Sequence, residues 1–308
     1  MLLDRLTIGT RGSALALWQS NAIADMLRAA HPHLHVSLEI IETKGDKVLD
    51  LALSKIGDKG LFTKELENAL LERRVDIAVH SLKDMQTELP EGLTLGAVTE
   101  RASPEDALIA QPGTTLHTIP EGGIVATGSL RRRAQLLSLR PDLQIVDVRG
   151  NVGTRLQKYR DGGWDGMILA RAGLERLGLE NEIAQIIPAD LMVPAVGQGA
   201  LGIEIPVDDP NVASIVAAIE HRPTRQVTDE ERAFLRRLEG GCQAPIAAHG
   251  WIVGEELRLT GLVASLDGRE IVRKNRTGNL DKEIGRELAE DVLREGGEII
   301  LEGISIGR

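Results

Sequence analysis

At 308 residues, 42% of them hydrophobic and 27% charged, the chain exceeds one ordinary core and reads as two or three soluble domains. A net charge of −10 and only six aromatic residues argue against a general nucleic-acid binder, which needs a basic field or a stacking platform. No apolar run approaches the roughly 20 residues of a membrane span, the start lacks a secretory pattern, and one cysteine cannot close an internal disulfide, so a cytoplasmic protein without membrane or nucleic-acid partners is expected.

Residues 6–10 (Leu-Thr-Ile-Gly-Thr) predict a strand, Arg11-Gly12-Ser13 a turn, and Ala14 to Ala30 a helix that His31-Pro32 ends. A second strand is expected over about 35–42, then a loop rich in Lys, Gly and Asp from Thr43 to Gly60. A helix over about 62–73 leads to an apolar strand, Asp76-Ile-Ala-Val-His80, which ends at Ser81-Leu-Lys-Asp84. The pattern then restarts. Ile124 to Ser129 is a strand running into the helix Leu130 to Leu139, followed by strand Gln144 to Val148, helix Gly153 to Arg160 and strand Gly166 to Ala170. Alternating strands and helices imply α/β layers.

The two openings, Ile8-Gly-Thr-Arg-Gly-Ser13 and Val125-Ala-Thr-Gly-Ser129, look alike. They suggest two similar α/β domains, each offering a helix start capped by serine, where free N–H groups and the helix dipole suit an anion. Simple capping with no ligand explains the serines equally well. From about residue 220 the character changes. Thr228-Asp-Glu-Glu231 reads as a capping box opening a helix that ends at Gly240-Gly241. Strands over 246–253, 257–265 and 269–276, the last two joined across Asp267-Gly268, and a closing helix over about 281–295 make a small α+β domain. Cys242 falls in the loop after its first helix.

Several residues could carry chemistry. Ser81-Leu82-Lys83-Asp84 follows an apolar strand, at the edge where open α/β sheets place ligands. Asp84 there could stabilise a cation or move a proton; the alternative is a surface Lys–Asp pair worth under about 1 kcal/mol. Arg131, Arg132 and Arg133 oppose the dipole at a helix start, at about 0.3–1 kcal/mol each, and so predict a compensating anion. With Arg149, Arg155, Arg171 and Arg176, they suit a ligand bearing several carboxylates. Cys242 lies at a helix C-terminus, whose dipole disfavours a thiolate; that argues against a redox or protease thiol and leaves a covalent attachment point open. His31, His33 and His35 read as a polar turn rather than a metal site, His80 as a satisfied near-core histidine, and Trp18 and Phe62 as core, with a cover over a ligand as the alternative for Phe62, which follows a glycine loop.

Together these segments resemble the porphobilinogen deaminase family. The matching stretches are Thr10-Arg-Gly-Ser-Ala-Leu-Ala-Leu-Trp-Gln19, Lys59-Gly-Leu-Phe-Thr-Lys-Glu-Leu-Glu67 and Asp76-Ile-Ala-Val-His-Ser-Leu-Lys-Asp84. Further on come Thr127-Gly-Ser-Leu-Arg-Arg132, Val148-Arg-Gly-Asn-Val-Gly-Thr-Arg155, Val193-Pro-Ala-Val-Gly-Gln-Gly-Ala200 and Leu238-Glu-Gly-Gly-Cys-Gln243. They run in the family order over almost the whole chain. Met85-Gln86 stands where a proline commonly follows the Lys-Asp pair, and Gly128 where Ser or Ala is usual; such a glycine removes at most one side-chain hydrogen bond.

The resemblance implies an α/β fold with two lobes similar to those of type II periplasmic binding proteins and a small C-terminal α+β domain. The boundaries it implies are 1–99 with 200–219, 100–199, and 220–308. It implies a transferase of the hydroxymethylbilane synthase type: a cytoplasmic monomer holding a dipyrromethane cofactor by a thioether to Cys242 and no metal. Porphobilinogen units add head to tail to this primer, each losing ammonia. By the same resemblance Asp84 is catalytic, holding pyrrole N–H groups and stabilising the azafulvene that forms when ammonia leaves. Ser81, Lys83, Thr127, Ser129, Arg131 and Arg132 would bind the primer. Arg11, Ser13, Gln19, Phe62, Arg149, Arg155 and Arg176 would meet incoming porphobilinogen or the growing oligopyrrole, with 46–60 as a lid. The rival readings are a non-catalytic anion receptor of the same two-lobed fold and a thiol hydrolase using Cys242 with His249.

Overall fold

A computed structural model of the chain describes residues 3–47, 63–238, 244–279 and 283–306. The described residues fall into two compact units, one of 3–47, 63–102 and 199–225, the other of 103–198 and 226–306.

The first unit starts with β1 (Arg5–Thr10), α1 (Ala14–Ala30), β2 (His35–Ile40) and a single turn, α2 (Lys44–Lys47), inside the stretch expected as loop. It continues with α3 (Lys64–Leu71), β3 (Ile77–Ser81) and β4 (Leu93–Val98). Two elements from much later in the chain complete it: β10 (Leu201–Pro206) and α7 (Pro210–Val216). The sheet order is β2-β1-β3-β10-β4, with β1 parallel to β2 and β3, and β10 antiparallel to β3 and β4. Leu6 and Ile8 of β1 pack with Ile23, Ala24 and Leu27 of α1, so the period-3.6 face of the helix seals one side of the sheet. Strands β4 and β10 were not among the sequence expectations. They approach so closely that a Cβ on Gly96 would sit 2.7 Å from the Ile205 side chain.

In the second unit β5 (Asp106–Ile109) precedes β6 (Ile124–Ala126), α4 (Leu130–Leu139), β7 (Gln144–Val146), α5 (Val152–Gly162), β8 (Gly166–Ala170), α6 (Arg171–Arg176) and β9 (Ile183–Ile187). The order is β7-β6-β8-β5-β9, with β6 parallel to β7 and β8, and β5 antiparallel to β8 and β9. Substituting strand for strand, this is the topology of the first sheet. The similarity of the two openings in sequence thus extends to whole sheets.

Helix α8 (Arg222–Arg237) leads to an antiparallel sheet of β11 (Ile246–Val253), β12 (Glu256–Ala264) and β13 (Ile271–Asn279), covered by α9 (Ile284–Val292) and α10 (Glu298–Ile306). The closing helix expected over about 281–295 is α9; α10 lies beyond the expected range and starts after Gly296, which takes φ 104, a left-handed value that favours glycine.

Two expectations are corrected. Trp18 is 42% exposed rather than core. The Thr228–Glu231 capping box does not cap, because α8 starts a turn and a half earlier: the Thr224 amide donates to His221 Nδ1 at 3.3 Å and the Arg225 amide to His221 O at 3.0 Å. Glu231 is instead fully buried and accepts the amides of Gly197 at 2.7 Å and Gly250 at 2.8 Å. Glu231→Ala would strand both donors in the core. We expect a loss of about 2–4 kcal/mol in urea unfolding, since each buried orphan costs about 1–3 kcal/mol. A loss under about 0.5 kcal/mol would show that solvent replaces the carboxylate.

Candidate functional site

In the first unit the parallel strands end at two turns that carry sequence-predicted residues. After β1, Ser13 Oγ accepts the Ala16 amide at 3.3 Å and caps α1, while the Thr10 hydroxyl donates to Ala16 O at 3.3 Å. The buried Gln19, one turn further on, donates from Nε2 to Ser81 Oγ at 2.8 Å. This bond brings two predicted residues together across the sheet edge. Ser81 closes β3, and a single 3₁₀ turn, Leu82–Asp84, follows it. The Leu82 amide donates to Ala200 O at 3.0 Å, and Leu82 and Met85 are buried among Leu95, Val98 and Ala200. Anchored on both flanks, the turn leaves Lys83 half-buried and presents the Asp84 carboxylate to solvent. Beneath it, as expected, His80 is buried and satisfied, with Nε2 3.0 Å from Glu204 Oε2. Arg11 lies half-buried in the first turn.

In the second unit the equivalent edge is built the same way. The Thr127 amide bonds Val146 O at 2.9 Å, the Ser129 amide bonds Thr127 Oγ1 at 3.3 Å, and Ser129 Oγ accepts the Arg132 amide at 3.4 Å as the cap of α4. Gly128 proves necessary rather than merely tolerated: a Cβ there would stand 2.7 Å from Val148 O. Asn151 caps α5 by accepting the Thr154 amide at 2.9 Å. Arg155 folds back so that Nε donates to Gly150 O at 2.7 Å. Arg149 has a buried Nη1 with no hydrogen-bond partner among the described residues. Arg176 is half-buried, and burial pulls its pKa down to about 10 even though Glu175 acts to raise it. Such a desolvated guanidinium gains from a ligand anion. Arg171 is held by the protein itself, with Nε 2.6 Å from Glu175 Oε1.

The anion that Arg131 and Arg132 called for is in large part internal. Both guanidiniums are 5% exposed and both bond Asp106, which is fully buried at the start of β5. Arg131 Nη1 donates to Asp106 Oδ2 at 2.8 Å and to Val193 O at 2.8 Å. Arg132 reaches Asp106 Oδ1 through Nε at 3.1 Å and Nη2 at 2.8 Å, and Ile168 O through Nη1 at 3.2 Å. Gln198 Nε2 adds a fourth bond to Asp106, at 2.9 Å. Burial pushes the Asp106 carboxyl up, but Arg131 and then Arg132 outweigh it and hold it well below the usual carboxylate range. Arg131 moves the other way to a benefit: burial, followed by repulsion from Arg132, overrides the pull of Asp106 and lowers it. The two shifts have different main causes: the arginines outweigh burial at Asp106, whereas burial outweighs Asp106 at Arg131.

Asp106 and Gln198 were missed in the sequence, where Pro104-Glu-Asp106 ahead of an apolar run looks like any strand entry. Phe62, Cys242 and residues 48–60 of the expected lid lie outside the described residues. Among the described residues no group of three or more His, Cys, Asp or Glu is placed to hold a metal, and no helix is long and apolar enough to cross a membrane.

Two α/β lobes of one topology each carry a serine-capped helix start and cationic side chains near their strand ends, an arrangement suited to anions. Residues 6–214 match the family described as porphobilinogen deaminase, dipyromethane cofactor binding domain, and residues 226–294 match its C-terminal domain. A porphobilinogen deaminase of Desulforamulus reducens is 49% identical over 98% of this chain and 99% of that protein. One from Prochlorococcus marinus is 53% identical over 98% of this chain and 97% of its own length. The chain belongs to the porphobilinogen deaminase family. Among solved structures, the periplasmic VFT2 domain of Bordetella pertussis BvgS is similar at a TM-score of 0.41 and 11% identity, covering 75% of this chain and 90% of that one.

The residues present fit a dipyrromethane bearing carboxylates. Among the described residues the buried Arg149 Nη1 has no hydrogen-bond partner, and two guanidinium charges against the one carboxylate of Asp106 leave one positive charge over.

Proposed function

We propose that this chain is a hydroxymethylbilane synthase: it joins four porphobilinogen units head to tail on a primer attached to Cys242 and releases the linear tetrapyrrole by hydrolysis. Family membership supports the reaction, and the observation that carries the site assignment is the exposed Asp84 carboxylate, held on a turn anchored by buried Leu82 and Met85. Departure of ammonia from porphobilinogen leaves an electron-poor azafulvene, a cation when its nitrogen is protonated. Asp84 accepts the pyrrole N–H and stabilises that charge where it develops. A new carbon–carbon bond replaces the carbon–nitrogen bond, one ring proton is lost, and ammonia carries the balance away.

When bound, the primer supplies the nucleophilic pyrrole carbon. Ser81, Lys83, Thr127, Ser129, Arg131 and Arg132 bind its polar groups. Arg11, Ser13, Gln19, Arg149, Arg155 and Arg176 hold the carboxylates of incoming or added units, and Phe62 meets their rings. The protein works as a cytoplasmic monomer with domains at 1–99 with 200–219, 100–199 and 220–308.

Intact mass tests the reading. The purified chain is expected to exceed its polypeptide mass by that of two linked pyrroles, and Cys242→Ser to lose the excess. A bare chain that gains nothing on adding porphobilinogen would replace this reading with that of an anion receptor.

A further inference from the structure

The paired arginines at the start of α4 are not simply a cationic patch. They are buried to 95%, so neither charge can be left to water, and the charged neighbours that act on Arg131 are Asp106 and Arg132. Two guanidiniums and one carboxylate leave a surplus of one positive charge in a region where unpaired charge is costly. The neutral groups that pack on the cluster fix geometry without changing this count. Gln135 brackets Val193, accepting its amide at 2.8 Å and donating to its carbonyl at 3.0 Å, and Val193 O in turn receives Arg131 Nη1. Gln198 donates to Asp106 and, at 2.7 Å, to Pro104 O.

We propose that Asp106 is a positioning residue for the primer site: it holds Arg131 and Arg132 side by side and cancels one of their two charges, so that the pair takes up a single carboxylate of a bound pyrrole. The inference rests on the function proposed above. A monoanion brings the cluster to neutrality. A second carboxylate would make it negative in the same dry surroundings, so side-chain acids beyond the first must be held elsewhere. Asp106 touches no reacting atom and acts only through the two arginines it orients.

The test uses full-length protein prepared without primer, with the folded fraction checked by circular dichroism at low temperature. Porphobilinogen is added, primer uptake is followed by intact mass, and kcat and KM are then measured on the loaded fraction. Asp106→Asn keeps shape and acceptor oxygen but removes the charge. It is expected to load about 10-fold or more slowly and, once loaded, to lose about 10-fold or more in kcat, with KM for porphobilinogen within about 3-fold. Gln198→Met keeps the charge count and removes one bond to Asp106, so the same signature is expected at about 2–5-fold. Loaded variants with wild-type kcat would overturn the proposal, leaving Asp106 as a residue of the fold alone. If Asp106→Asn does not fold, Gln198→Met decides by the same readings. Wild-type protein that gains no mass would overturn the functional reading itself, a result separable from normal loading in both wild type and variants.

Discussion

Asp84→Ala is expected to lower kcat for porphobilinogen consumption by about 10²–10³-fold while leaving the fold intact. The carboxylate ends the Leu82–Asp84 turn and is exposed, whereas its anchors Leu82 and Met85 are buried. Removing it therefore leaves no cavity and no buried orphan, and the change in unfolding free energy should stay within about 0.5 kcal/mol. On the proposed mechanism its effect falls on the charge that develops as ammonia departs, which is why kcat should move far more than KM. Initial rates over a range of porphobilinogen concentrations, beside a urea unfolding curve of the same preparation, provide the check. Wild-type coupling by the alanine variant would remove Asp84 from the mechanism, and a parallel collapse of stability would make it structural.

The largest effect on stability is expected at Asp106. Asp106→Ala removes the shared acceptor of Arg131, Arg132 and Gln198 and leaves two buried guanidiniums facing each other. Breaking a buried ion pair by deleting one partner typically costs about 3–5 kcal/mol, and here the deletion affects two cations at once. The same group sets an acid limit. Its carboxyl is held below the ordinary value in the folded state, so its contribution is complete above the unfolded pKa of about 3.9 and is lost progressively as pH falls below it. Wild-type stability measured by urea unfolding from pH 6 downward should drop through this window. The variant, already lacking the contribution, should show a shallower acid slope. Equal slopes would mean that other carboxylates dominate.

Much of the fold was legible because it is written locally. The helical spacing of Ala14–Ala30 and Leu130–Leu139, the apolar run into His80 and the repeated Thr–Gly–Ser openings each concern residues within a few turns of one another. Helix caps at Ser13 and Ser129 follow from the same short-range rule. Asp84 and the arginines could be named as candidates from sequence because their motifs are contiguous.

Tertiary structure decided what depends on partners far along the chain. Strand β10 pairs with β3 from more than a hundred residues away, and no local pattern signals that pairing. The Thr228–Glu231 motif has the chemistry of a cap, yet Glu231 is more stable accepting two amides that only the folded core brings to it. Trp18 satisfies a helical period and still faces outward, because periodicity identifies a face but not what lies against it. Arg131 and Arg132 announced a missing anion, and the sequence could not say that Asp106, some 25 residues earlier, supplies one negative charge of it. Hydrophobic periods and caps are properties of neighbouring residues, and the chain encodes them directly. Burial and charge compensation are properties of assembled surfaces, which exist only once distant segments have packed.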